Sequence, residues 1–234
     1  MHITVAHPNT ETFCLALNAL NQHSVSYAIG GAFAMYHYSG MWRNTNDLDI
    51  FVERADMPHS VDILSACGFQ DLGEKAAGDR QWIYHAVKDD VIVDLIWGTP
   101  NHLSIIDTAV IARAERGRFV EVETSFLPAD VLIWTKIFTL NHHRCDWPDI
   151  FSIVCSRPAG LDWGLLLETM GENWPVLLSF VILFDWVYPN ERTAIPVGLR
   201  NDLLALSKSI TPQQPGLSRE SLLDPWIYSR PISP

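Results

Sequence analysis

Between Tyr27 and Val52 the chain carries a pattern that few folds can house. An apolar run, Tyr27-Ala28-Ile29, meets two glycines, Gly30 and Gly31. A short helix-forming segment follows, then a loop holding Arg43 and Thr45, then a strand that opens Asp47-Leu48-Asp49-Ile50-Phe51-Val52. Glycine lets a backbone turn sharply and approach a ligand closely, and a helix N-terminus attracts anions. Side chains two apart on a strand point to one face, so Asp47 and Asp49 share it. Crowded carboxylates repel unless a cation lies between them. A phosphate cradle beside a divalent-cation site is what nucleotide chemistry requires.

An acidic pair alone is weak. With 27 acidic residues in 234, about three such i, i+2 pairs arise by chance. Glu121 and Glu123 form one, and the alternation from Phe119 to Val122 reads as a strand with its glutamates solvated. The Asp47 pair differs because its neighbours agree with it, although a turn with solvated aspartates ahead of a core strand remains an alternative.

A third carboxylate joins them. Val91 to Trp97 is continuously apolar except for Asp94, the pattern of a strand buried on both faces. A buried carboxylate needs a metal or a partner, and Arg80 or backbone N–H groups are the structural alternatives. If Asp89 and Asp90 form a two-residue hairpin turn, Lys88 pairs with Val91 and His85 falls opposite Asp94. A one-residue slip would undo that pairing.

Gly30-Gly31, then Arg43-x-Thr45-x-Asp47-x-Asp49, then an isolated Asp94 in a later apolar strand, resembles the nucleotidyltransferase fold of the polymerase-β superfamily. The likeness continues through Val131–Phe138, Arg144–Ile150, Leu161–Trp163, Gly171–Leu178 and Val187–Arg192, which are similar to bacterial proteins described only as nucleotidyltransferase-family. It implies a mixed α/β (α+β) sheet with flanking helices, followed by a small helical bundle. It also implies that Asp47 and Asp49 hold metal ions, that Asp94 assists the attacking hydroxyl or holds the acceptor-side metal, and that Gly30 and Gly31 seat the triphosphate. Arg43, Thr45 and Lys136 complete the expected nucleotide-binding set, with two Mg²⁺ ions as cofactors and an NTP such as ATP as substrate.

Charge narrows the partners. A formal net charge of −11 argues against broad nucleic-acid binding beyond a terminal nucleotide. Apolar content of 48% with nine tryptophans argues against disorder. The N-terminus lacks a basic region leading into a long apolar stretch, and Trp174–Val187, interrupted by Ser179 and Asp185, is short for a membrane span. A cytoplasmic enzyme without membrane attachment is therefore expected. The four cysteines, at 14, 67, 145 and 155, lack Cys-x-x-Cys spacing and read as reduced thiols. His142, Cys145 and Asp146 share one turn but lack an evident fourth metal ligand.

The expected organisation is a catalytic domain over residues 1–126, a helical domain over 127–210 and a Pro-rich tail over 211–234. Helices are expected at Glu11–Gln22, Ala32–Tyr38 and Met57–Cys67, and strands at Ser26–Ile29, Leu48–Val52, Gln81–Val87, Val91–Trp97 and Val120–Phe126. Helices Asp130–His142, Pro148–Cys155, Leu161–Met170, Trp174–Val187 and Val197–Ser209 follow, with Trp134, Trp147, Trp163, Trp174 and Trp186 expected in their core. Lys136, Leu140 and Arg144 fall on one helical stripe. Lys136 reads either as a triphosphate contact or as a salt bridge to Asp149. Asp146, ahead of Trp147-Pro148-Asp149, reads as a helix N-cap box. The expected reaction is transfer of a nucleoside monophosphate to a hydroxyl of a small molecule or protein. A catalytically silent nucleotide-binding module, or a toxin–antitoxin-type regulator of the same fold, is the alternative.

Overall fold

A computed structural model describes residues 2–3, 7–73, 81–99, 106–138 and 145–209. It divides into two compact units, residues 1–128 and 129–234. Arg80, Leu140, His142, Arg144 and the Pro-rich tail lie outside the described residues.

The first unit is a mixed α/β unit, as the sequence pattern requires. Its strands are β1 (His2–Ile3), β2 (Tyr27–Ile29), β3 (Asp47–Val52), β4 (Gln70–Asp71), β5 (Ile83–Lys88), β6 (Val91–Ile96), β7 (Glu115–Phe119) and β8 (Val122–Phe126). They form one sheet in the order β1-β7-β8-β2-β3-β6-β5-β4. Helices α1 (Thr10–Gln22), α2 (Gly31–Ser39), α3 (Met57–Ala66) and α4 (Thr108–Ala112) accompany it. β2 runs antiparallel to β3, and β3 runs parallel to β6.

Helix α1 buries Phe13, Ala16, Leu17 and Leu20, the i, i+3, i+4, i+7 stripe of an amphipathic helix. Phe33 of α2 meets Phe13 at 5.7 Å and Phe119 at 4.9 Å between ring centroids, in edge-to-face geometry. Ala28, Ile29, Leu48, Ile50, Val93 and Leu95 are fully buried at the sheet centre. Each large apolar side chain among them contributes about 1.5–3 kcal/mol on burial. This rigid centre holds β2, β3 and β6, the three strands that bear the candidate site.

Several elements of the first unit depart from the sequence-based expectation, the short strands β1 and β4 among them. The run from Phe119 to Val122 is a hairpin and not one strand: Phe119 pairs with Val122, and the chain turns at Val120 with φ +54. The alternation cannot reveal this, since a two-residue turn preserves the period of two. The preceding strand β7 carries Glu115, Arg116, Gly117 and Arg118 and shows no apolar alternation. Helix α4 buries none of its residues, so no apolar stripe marks it.

The second unit contains α5 (Ala129–Ile137), α6 (Trp147–Ser156), α7 (Trp163–Met170), α8 (Trp174–Val187) and α9 (Val197–Ser207). Trp134, Trp147 and Trp163 are buried as expected. Trp174 is only partly buried. Trp186 overturns its expectation: it is 79% exposed, beside the exposed Ile182 on α8. Helix α8 is apolar nearly all round, so periodicity does not say which face is inside. The helical stretch Trp163–Val187 is long and apolar enough to cross a membrane by length and composition. It is interrupted, because Gly171 takes φ +49 and opens a 3₁₀ turn between α7 and α8.

Asp146 occupies the N-cap position of α6 without capping it. Its carboxylate instead accepts from Lys136 Nζ at 2.8 Å, and Asp149 accepts from the same group at 3.3 Å. A buried ammonium without a counter-charge is far costlier than an uncapped helix end, so the ion pair takes the carboxylate.

Candidate functional site

The site forms where β2 ends and β3 and β6 run side by side. In the parallel ladder Asp49 stands opposite Asp94, and Asp47 opposite Ile92. Register partners share a face, so Asp47, Asp49 and Asp94 project from one side of the sheet. Leu48 and Ile50, the alternate residues of β3, are fully buried on the other side.

Each carboxylate has a dedicated neighbour. Thr45 Oγ1 donates a short hydrogen bond to Asp47 Oδ1. Thr45 in turn is tied down by its carbonyl, which accepts from His7 Nε2 at 2.8 Å. His7 Nδ1 accepts from the Asn9 N–H at 3.2 Å, which places the ring proton on Nε2. Sequence reading missed His7. A lone histidine 38 residues upstream carries no spacing signal, and only the fold brings it to the loop.

Asp49 is held against Gly31. A Cβ built on Gly31 would lie 1.7 Å from Asp49 Oδ2, and Gly31 takes φ +52. A Cβ on Gly30 would meet the Phe51 ring at 2.2 Å. The glycine pair is therefore required by Asp49 and Phe51, the side chains packed against it. The Gly30 N–H donates to the Asp49 carbonyl at 2.9 Å and is spent in the ladder. The expected phosphate seat thus reduces to the next amides of α2, the first-turn N–H groups that a helix leaves without intrahelical partners.

Asp94 is buried, with 6% of its surface exposed. Its Oδ1 accepts from His85 Nδ1 at 2.6 Å. Burial raises its pKa above the ordinary carboxylate value, the His85 hydrogen bond and charge lower it, and the Asp47 charge raises it again. The hairpin behind this geometry has the expected register, Lys88 with Val91 and His85 with Asp94, and Asp89 and Asp90 take φ +51 and +61. Positive φ at both turn residues matches the right-handed twist of the strands.

Among the expected nucleotide contacts, Arg43 is exposed in the loop before β3. Thr45 spends its hydroxyl on Asp47. Lys136 belongs to the second unit, is buried, and forms ion pairs with Asp146 and Asp149. These contacts are those of the salt-bridge alternative. A cavity of about 570 Å³ lies elsewhere in the first unit, lined by Tyr27 at the start of β2, Glu53, Arg116 and Thr124, and includes none of the three aspartates.

Among the described residues no three His, Cys, Asp or Glu side chains stand close enough to hold an ion unaided. Mg²⁺ keeps several waters and is bound through one or two carboxylates plus substrate phosphates. The donors offered by Asp47 and Asp49 are hard oxygens of the required kind.

No family model matches the chain, and no curated protein matches it in sequence. Among solved structures it is similar to the antibiotic-resistance factor ANT(2″)-Ia, with 13% identity and a TM-score of 0.47, over 86% of this chain and 95% of that one. It is also similar to the lincosamide antibiotic adenylyltransferase LnuA, with 10% identity and a TM-score of 0.44, over 63% and 96%. A nucleotidyltransferase-type protein from H. pylori aligns at 13% identity and a TM-score of 0.39, over 86% and 94%. Likeness of this degree carries no functional weight.

Proposed function

We propose that the protein is a Mg²⁺-dependent nucleotidyltransferase that moves a nucleoside monophosphate from an NTP to a hydroxyl of a small molecule or protein. The observation that carries this is the ladder register of β3 and β6, which sets Asp49 beside Asp94 with Asp47 on the same face. The glycine-opened N-terminus of α2 is packed against Asp49.

Asp47 and Asp49 would hold the cations that accompany the nucleotide. Bound Mg²⁺ supplies charge neutralisation on the triphosphate oxygens. The first-turn amides of α2 would donate to the phosphates. Asp94, with its pKa raised by burial, is suited to take the proton of the attacking hydroxyl as pyrophosphate leaves. Arg43, exposed in the loop before β3, would meet phosphate charge.

The test is to incubate the purified protein with each α-³²P-labelled NTP, with Mg²⁺ or with chelator, in the presence and absence of cell extract. Label transferred to a small-molecule or protein fraction, and lost on chelation, is the expected result. No transfer in any fraction, together with no MgNTP binding by calorimetry, would overturn the proposal.

A further inference from the structure

We infer that His85 is a positioning residue for Asp94: its Nδ1–H anchors one carboxylate oxygen and so determines which oxygen faces the reaction. The inference rests on the nucleotidyltransferase reading and adds a residue to it.

The contact follows from the hairpin. Asp89 and Asp90 fix the register of β5 on β6, which sets His85 directly opposite Asp94. Residues opposite each other in an antiparallel pair share a face and lie within side-chain reach. Nδ1 and Oδ1 stand 2.6 Å apart, with 22% of the imidazole side chain and 9% of the Asp94 side chain exposed. An ionised carboxylate only accepts, so the bond assigns the proton to Nδ1.

A carboxylate turns easily about its last torsion, which is broad and two-fold. A proton acceptor must meet the hydroxyl in one orientation, and misplacement costs rate steeply. With Oδ1 held by His85, Oδ2 is the oxygen left for the acceptor side. Thr45 stands in the same relation to Asp47, so Asp47 and Asp94 are each oriented by a neighbour's hydrogen bond.

Asparagine and glutamine separate this role from bulk or polarity. The amide nitrogen of His85→Asn lies where Nδ1 was, whereas that of His85→Gln lies nearer the place of Nε2. Turnover is read as AMP and pyrophosphate released from MgATP with water as acceptor, and affinity by calorimetry. His85→Gln is expected to lower turnover on the order of 10- to 100-fold, as for lost partners of ligating groups. His85→Asn is expected to stay within a few-fold of wild type, and MgATP affinity to stay within a few-fold in both.

Equal losses in the two variants, or a matching loss of affinity, would overturn the inference. So would a wild type that binds MgATP without turning it over. In the metal-free protein, ¹⁵N imidazole spectra should show the proton on Nδ1 of His85 and its displacement in Asp94→Leu. A proton on Nε2 alone overturns the inference without any assay of activity. Failure of the wild type to bind any MgNTP refutes the functional reading, and the imidazole spectrum distinguishes that failure from absence of the hydrogen bond.

Discussion

Replacing Gly31 with alanine tests the packing at the heart of the site. Two costs are separable there. Gly31 holds φ +52, and a side chain in the left-handed region costs about 1–2 kcal/mol. The added Cβ would also lie 1.7 Å from Asp49 Oδ2 and 2.7 Å from its Cγ, so the carboxylate must move. Overpacking of this kind costs about 1–3 kcal/mol, giving about 2–5 kcal/mol in total. Gly40 isolates the first cost, since it takes φ +70 with nothing within 4 Å of its Cβ. Gly40→Ala is expected to cost about 1 kcal/mol, partly offset by the stiffer unfolded chain. In an Asp49→Ala background the residue-49 Cβ, at 3.2 Å, is the side-chain atom left to meet Gly31→Ala, so the penalty should fall toward the backbone cost alone. Urea denaturation of the four combinations, with the m-value checked for constancy, measures the coupling. If Gly31→Ala costs no more than Gly40→Ala, or costs the same with and without Asp49, the carboxylate does not occupy that space.

Four further outcomes are expected. Asp47→Asn with Asp49→Asn should abolish the thermal shift that MgATP gives the wild type while leaving a folded protein; an unchanged shift would remove the metal assignment. Lys136→Met should destabilise by about 3–5 kcal/mol in urea denaturation, because it removes one partner of a buried ion pair, and adding Asp146→Asn should recover much of the loss. Asp185 has its pKa lowered by hydrogen bonds from Arg200, at 2.9 and 2.7 Å, with Arg192 adding to the effect. A lowered folded pKa stabilises above the unfolded value and ceases to do so as pH falls through the folded one, so Asp185→Asn should destabilise at neutral pH and converge on wild type in acid. Asp94, whose folded pKa is raised by burial, has the opposite sign: its ionised form costs stability, fully above the folded pKa and vanishing as pH falls toward the ordinary 3.8. Asp94→Asn should therefore gain stability at neutral pH, a gain that shrinks in acid, while transfer falls on the order of 10²-fold and MgNTP affinity stays within a few-fold.

Short-range chemistry was the most legible part of the chain. The Asp89-Asp90 turn fixed the β5–β6 register correctly because a two-residue loop leaves one pairing compatible with positive φ at both positions. The strands carrying Asp47, Asp49 and Asp94 were legible because each has apolar alternation or a continuous apolar run. The partners of those carboxylates were less so. Thr45 reads as a ligand contact in sequence, and only the loop path turns its hydroxyl onto Asp47. Gly30 and Gly31 read as a phosphate turn, and only the β2–β3 pairing reveals Phe51 and Asp49 pressed against them. Trp186 failed for a related reason: Leu177, Phe180, Val181 and Phe184 set the buried face of α8, and nothing in a helix apolar on most sides ranks them above Ile182 and Trp186.

The three aspartates together carry a cost to the fold that the proposed site would explain. Burial raises the Asp94 pKa, and the neighbouring Asp47 adds repulsion that a structural carboxylate would avoid. The surroundings relieve this without cancelling it: Thr45 and His85 each satisfy one oxygen, and neither supplies the divalent charge that would balance the group. An apolar residue opposite His85 would remove the burden outright, at the centre of a sheet already rich in valine and isoleucine. Keeping three carboxylates on one face, with Asp47 and Asp94 each aimed by a neighbour's hydrogen bond, is the arrangement expected where a cation and a phosphate are to complete the charge balance.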